Sequence, residues 1–305
     1  MASDTRFSLA PIGIWTGALD AVPASRAQEL AAELEDLGYG AIWIPEVAGR
    51  DVFVQLALLL TATERIVGAT GIANIWGRDA VAMAGAVKGL TEAFPERMLL
   101  GLGVSHRNIV NDLRGHDYRR PLGAMGAYLD AMDAAPYTAE RPTTPVRRVL
   151  AALGPKMLEL AGTRVDGAHP YFVTPEHTAT ARQVMGPEAL LCPEQAVVLE
   201  TDAGRAREVG RGYTAIYLSQ PNYVNNMLRL GWRQEDLESA GTDAFVDSLV
   251  AWGDESAILK RVQEHFDAGA DHVCVQALEA GRRSVPEEQW RRLAPALLEG
   301  ARADR

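Results

Sequence analysis

Eight short apolar runs punctuate this chain, and between most of them lie stretches whose apolar residues recur every three or four positions. The runs are LAPIGIW, GAIWIPE, RIVGATGIAN, RMLLGLGVS, RRVLAAL, AHPYFVT, EQAVVLE and DHVCVQAL. The helical stretches include SRAQELAAELEDLG, DVFVQLALLLTATE, AVAMAGAVKGLTEAF, PLGAMGAYLDAMDAA, PKMLELAGTR, PEHTATARQVMG and ESAILKRVQEHFDAG. Near-continuous apolar strands alternating with amphipathic helices mark repeated βα units, in which helices cover a parallel sheet. Eight units in this order predict an α/β fold of the (β/α)8 TIM-barrel type in preference to an open doubly wound sheet. One domain over residues 1–305 accommodates it, because such barrels commonly run to roughly 250 residues or more as one unit. Gly38 ends the first helical stretch as a left-handed cap would. Two places break the rhythm. Pro136 to Pro145 is a proline-rich connector, and Thr201 to Asp254 holds more helix than one crossover needs, reading as a helical insertion between strands seven and eight.

Charge and motif content narrow the partners. A net charge of −10 with no Lys/Arg block argues against nucleic acid or an anionic membrane and for a small-molecule substrate. No basic segment precedes an apolar core at the N-terminus, and VFVQLALLL is too short to span a bilayer, so a cytoplasmic location is expected. Cys192 and Cys274, one beside a proline and one in an apolar run, read as reduced structural thiols. No His-x-His or Cys-x-x-Cys spacing occurs, and no metal is expected. Nucleophile-elbow, P-loop and dinucleotide fingerprints are absent; GLGVSH lacks the last glycine and the later acidic residue.

Barrel enzymes place their chemistry at the C-terminal strand ends. After strand two stands Glu46, which either orients a ligand or merely caps a helix or pairs with Arg50. VGATGIAN puts Gly68 and Gly71 in a β-branched strand, where glycine costs conformational entropy unless the backbone bulges or something approaches closely. Gly71, Ile72, Ala73 and Asn74 are therefore candidates. Gly101 and Gly103 lighten strand four ahead of Ser105 and His106; a histidine there is either a satisfied loop residue or a titratable group at the mouth. Gly154 follows strand five. After strand six come Tyr171, Thr174 and His177, with Thr174 as N-cap, Pro175 at the first helical position and amides suited to a phosphate or to a plain helix start.

The blocks ELEDLGYGAIWIPE, TERIVGATGIANIWGRDAVAMAGAVKGLTEAFPERMLLGLGVSH, LAALGPKMLELAGTRVDGAHPYFVTPEH and FDAGADHVCVQAL, in this order, resemble the luciferase-like flavin and deazaflavin oxidoreductases, in the actinobacterial coenzyme F420-dependent branch. The resemblance implies a barrel with an insertion, a homodimer, and a tricyclic cofactor at the C-terminal mouth. It implies a non-proline cis peptide at Gly71–Ile72 forming a bulge behind the ring. It implies a phosphate near Ala152, Leu153, Gly154 and the Tyr171 to His177 segment. Relatives often carry an acid followed by histidine after strand two, where this chain has Glu46 and Val47. They place a proton-transfer acid after the strand-four glycines, where this chain has His106. The implied activity is hydride transfer between the deazaflavin C5 and a small organic substrate, with His106 handling the proton and Glu46 beside it. An FMN-dependent monooxygenase and a non-catalytic cofactor-binding protein are the alternatives. Trp15, Trp43 or Trp76 would cover the ring, with Trp43 better suited to the core.

Overall fold

The computed structural model describes residue 7, residues 9–279 and residues 284–303. Its strands are β1 (Ile12–Trp15), β2 (Ala41–Ile44), β3 (Val67–Thr70), β4 (Ala73–Asn74), β5 (Met98–Gly103), β6 (Arg147–Leu150), β7 (Gly167–Ala168), β8 (Leu190–Leu191), β9 (Glu194–Val198), β10 (Val250–Trp252) and β11 (Val273–Ala277). All pair in parallel in the order β10-β9-β11-β1-β2-β3-β5-β6-β7-β8, with β4 alongside β5. β8 and β9 are one run of chain interrupted at Cys192 and Pro193. One half bonds to β7 and the other to β11, so the sheet is curled back on a shared stretch of backbone. Pro193 has no N–H to give a ladder, which fits the break there.

Helices alternate with these strands: α1 (Ala24–Leu37), α2 (Val52–Thr61), α3 (Ala80–Ala93), α4 (Pro121–Asp133), α5 (Pro155–Arg164) and α6 (Pro175–Met185). Then come α7 (Ala203–Leu218), α8 (Pro221–Arg229), α9 (Gln234–Leu237) and α10 (Asp243–Leu249) between β9 and β10, followed by α11 (Glu255–Asp267) and α12 (Glu287–Ala303). Asp51 and Asp79 cap α2 and α3 by accepting backbone N–H bonds, and Gly38 closes α1 at φ 101°. The strands are buried on both faces, which is why they read as unbroken apolar runs. Ile12, Ile14, Ile42, Ile44, Leu100 and Leu102 face the helix layer, whereas Trp15, Ala41, Trp43, Ala69, Leu99 and Val149 fill the other cluster. Tyr213, Tyr223, Met227 and Phe245 from the α7–α10 segment pack on that second cluster.

Three expectations are adjusted. RIVGATGIAN is two strands, β3 and β4, separated at Gly71–Ile72. AHPYFVT is regular only through Ala168, since Pro170 cannot donate and Phe172 sits at φ 59°. The short β8 and β10 and the C-terminal α12 had no clear sequence signal. Among the described residues no helix is long and apolar enough to cross a membrane, and both cysteines are buried and unpaired.

Candidate active site

A cavity of about 880 Å³ opens where β1, β2, β5 and β6 end, roofed by α7 and α8. Its wall includes Glu46, Gly71, Ile72, Ser105, His106, Ala152, Leu153, Gly154 and Tyr171 from the sequence-derived set, together with Trp15 and Val47. Ala73, Asn74, Gly103, Thr174 and His177 do not line it.

Each exclusion has a physical cause. Ala73 and Asn74 are fully buried in β4; Asn74 spends its N–H on Glu46 Oε2 at 2.7 Å and its Oδ1 on the Trp76 N–H. Gly103 makes room for protein, since a Cβ there would lie 2.4 Å from the Ile72 side chain. Gly101 does the same for the Thr70 carbonyl, at 2.0 Å. The two strand-four glycines thus admit the strand-three bulge rather than a ring. Thr174 holds the N-cap position ahead of Pro175, but its hydroxyl makes no cap bond. His177 is buried and donates from Nε2 to the Leu153 carbonyl at 2.9 Å, bracing the β6 end from behind.

The peptide Gly71–Ile72 is cis. Gly71 donates to the Ile44 carbonyl at 2.8 Å and accepts from Trp15 Nε1 at 3.1 Å. A side chain on Gly71 would strike Trp15 Nε1 at 2.6 Å, so this position is closed to anything larger. Glu46 braces the same bulge. Its carboxylate accepts from the Asn74 N–H and forms a two-pronged ion pair with Arg78, which also reaches Asp51. Arg50 instead bonds to the Leu19 and Val22 carbonyls and Gln55. Glu46 thus supports the bulge backbone while its side chain also lines the cavity.

His106 is delivered to the cavity wall by Ser105, whose φ of 56° turns the chain out of β5. Its Nδ1 is buried with no partner, and its ring lies 5.5 Å from that of Tyr223. Burial lowers its pKa below the ordinary 6.5, and a hydrogen bond with the Asn222 side chain partly opposes this. The ring is neutral at pH 7, and a neutral imidazole nitrogen in a cavity is a base.

Tyr171 donates to Gln276 Oε1 at 2.7 Å and accepts from Tyr217 at the same distance. Beneath them Glu194 is wholly buried, accepting from the Phe172 N–H and the Tyr213 hydroxyl, and burial pushes it up to about 8. Glu194 was not singled out in the sequence, because a lone acid opening a strand resembles a surface residue. Its raised value means that native stability is full below the ordinary 4.5 and is lost as pH climbs through about 8. Glu194→Gln is therefore expected to gain on the wild type by up to ~1.4 kcal/mol per pH unit across this window. Urea midpoints at pH 5, 6.5 and 8 check it; an unchanging gap contradicts it.

Also lining the cavity are Gly154, Pro155 and Lys156 at the start of α5, and Arg229 from α8. A Cβ on Gly154 would lie 3.7 Å from Arg229 Nη2, so the guanidinium overhangs the helix start. The Lys156 ammonium and the Arg229 guanidinium give this part of the wall a positive charge that suits an anion. Arg229 carried no sequence signal, since it lies in the motif-free Thr201 to Asp254 segment. Trp43 is core, Trp76 donates to the carbonyl of the cavity-lining Val104 without lining the cavity itself, and only Trp15 of the three tryptophans reaches the wall.

Residues 6–272 match the luciferase-like monooxygenase family. The chain belongs to that family. A protein of Mycobacterium tuberculosis (strain ATCC 25618 / H37Rv), named as a "putative coenzyme F420-dependent oxidoreductase", is 24% identical to this luciferase-like chain, covering 87% of it and 94% of the relative. The coenzyme F420-dependent tetrahydromethanopterin reductase of Methanopyrus kandleri superposes with a TM-score of 0.77 at 16% identity, covering 96% of this chain and 99% of that one. The oxygenating constituent of 3,6-diketocamphane monooxygenase from Pseudomonas putida, in complex with FMN, gives 0.73 at 13% identity, covering 97% and 98%. The luciferase-like fold thus accounts for the curled parallel sheet. Among the described residues no group of histidine, cysteine and carboxylate side chains is arranged to hold a metal.

Proposed function

We propose that this chain is a coenzyme F420-dependent oxidoreductase that moves a hydride between the deazaflavin C5 and a small organic substrate, with His106 as proton donor and acceptor. In this reading the whole chain is one (β/α)8 barrel domain, α7–α10 are its insertion, and it works as a cytoplasmic homodimer. The observation that carries the proposal is the lining of one cavity. The Gly71–Ile72 bulge, the titratable His106 and the cationic Lys156 and Arg229 beside Gly154 all line it. A ring joined to a phosphate fits that combination. The buried, partnerless Nε2 of His169 in the same wall also fits a polar ring in preference to a purely apolar ligand.

When bound, the deazaflavin supplies a two-electron hydride at C5. The protein supplies position and a proton. Ile72 would stand behind one face of a bound ring, and Gly154, Lys156 and Arg229 would hold its anionic tail. Val47, Ile109, Leu122, Ile216 and Tyr223 give the cavity an apolar lining. In the oxidising direction, neutral His106 takes the hydroxyl proton of an alcohol; in the reducing direction, its imidazolium returns one. Arg78 pairs with Glu46 and Asp51, so the Glu46 carboxylate is already engaged and does not call for a cationic group on the substrate.

FMN is the rival ligand, favoured by the FMN-bound fold neighbour. Equilibrium titration of the protein with F420 and with FMN, side by side, separates the two. F420 is expected to bind more tightly; flavin winning by about tenfold, or ~1.4 kcal/mol, overturns the cofactor choice. A non-catalytic carrier would bind F420 and show no single-turnover oxidation of the reduced cofactor with any member of a carbonyl panel.

A further inference from the structure

His169 is buried to 1% exposure at the end of β7, and yet it lines the cavity. Its ring is held on every side. Nδ1 lies 2.7 Å from the Cys192 carbonyl and 3.8 Å from Cys274 Sγ, and the Trp43 indole stacks on it at 4.4 Å and 21°. Trp43 is itself fixed, donating to His272 Nε2 at 3.0 Å while His272 Nδ1 bonds to the Ala10 carbonyl. A carbonyl only accepts, so the His169 proton must sit on Nδ1, and Nε2 is left as a bare lone pair. Burial keeps the ring neutral, with its pKa pushed down to about 4. Nε2 has no protein partner and faces Gly71, lying 3.2 Å from where a Cβ on that residue would stand. Buried acceptors are rarely left unpaired, and each costs free energy until a donor arrives. This one is aimed at the wall in which the cis peptide sits.

We infer that His169 Nε2 is a preset hydrogen-bond acceptor for a ring N–H of the cofactor, so that His169 orients the ring against the Gly71–Ile72 bulge. The inference rests on the proposed binding of a deazaflavin or flavin in this cavity. N3 of the pyrimidine carries an N–H in both redox states of such rings. A fixed acceptor pairs with that edge and repels the carbonyl oxygens on either side of it, which selects one in-plane orientation. His169 is thus a positioning residue, separate from proton transfer at His106.

The test uses full-length protein labelled with ¹⁵N-histidine and titrated with F420, oxidised and reduced. Before ligand, the His169 Nε2 resonance is expected at the position of an unprotonated, acceptor nitrogen. Saturation with either redox form should move it toward the hydrogen-bonded value, and His169→Phe, which keeps the stack on Trp43, should raise the Kd of F420 roughly 3–10-fold. His169→Gln, which keeps an acceptor, should recover part of that loss. A His169 resonance that stays in place while F420 binds overturns the inference and leaves the cofactor reading intact. A shift with only the reduced ring overturns the N3 assignment. Wild-type protein that binds neither F420 nor FMN overturns both.

Discussion

His106→Ala is expected to cut single-turnover reaction of the bound cofactor by about 10²–10⁴-fold while leaving F420 affinity nearly unchanged, because general acid–base catalysis is worth that much. His106 follows β5, and its loss removes a proton carrier and no ring contact that the bulge, Lys156 or Arg229 would provide. The pH profile tests the same role. Burial disfavours the imidazolium, so the neutral base persists to lower pH than for an exposed histidine. Alcohol oxidation should hold its rate at neutral pH and fall only below 6.5, as protonation removes the base. Asn222 favours the charged ring, so Asn222→Ala should move that limb to still lower pH. Unchanged turnover in His106→Ala, with F420 bound, sinks the assignment.

Gly101→Ala is expected to damage the fold severely. The new Cβ would lie 2.0 Å from the Thr70 carbonyl oxygen, a backbone atom. Thr70 is also tied to β5 through its hydroxyl, which donates to the Gly101 carbonyl at 2.6 Å. Neither strand can retreat without losing that bond or the β3–β5 ladder. Overpacking a tight core costs about 1–3 kcal/mol, and a clash with backbone belongs at or above the top of that range. The measurement is the urea midpoint of the variant against that of Gly126→Ala, where no atom lies within 4 Å of the added Cβ. Gly126 sits within α4, so its replacement should stabilise by roughly 0.5–1 kcal/mol. Equal midpoints for the two variants would contradict the argument.

Much of this architecture was legible in the chain. The apolar runs marked β1, β2, β5, β6, β9 and β11 because both faces of each strand are covered, and helix starts at Asp51, Asp79 and Pro155 carried their own local signals. Family resemblance placed the cis peptide and put His106 at the mouth. Residue spacing could not say which neighbours would claim a side chain. Glu46 looked available until Arg78, 32 positions away, took its carboxylate, and Asn74 looked like a ring contact until β4 buried it.

The sequence by itself determined the alternation of strand and helix, the absence of metal and nucleotide motifs, and the points where the backbone needs glycine, because these depend on local periodicity and on the chain's own steric limits. Only the tertiary structure decided that Gly101 and Gly103 admit Thr70 and Ile72, that Glu194 is buried among tyrosines, and that Arg229 overhangs Gly154. It also decided that His169 keeps a bare nitrogen toward the cavity. Each of these is a contact between distant segments, and whether a polar atom is paired, neutralised or left for a ligand is settled by what folding brings beside it.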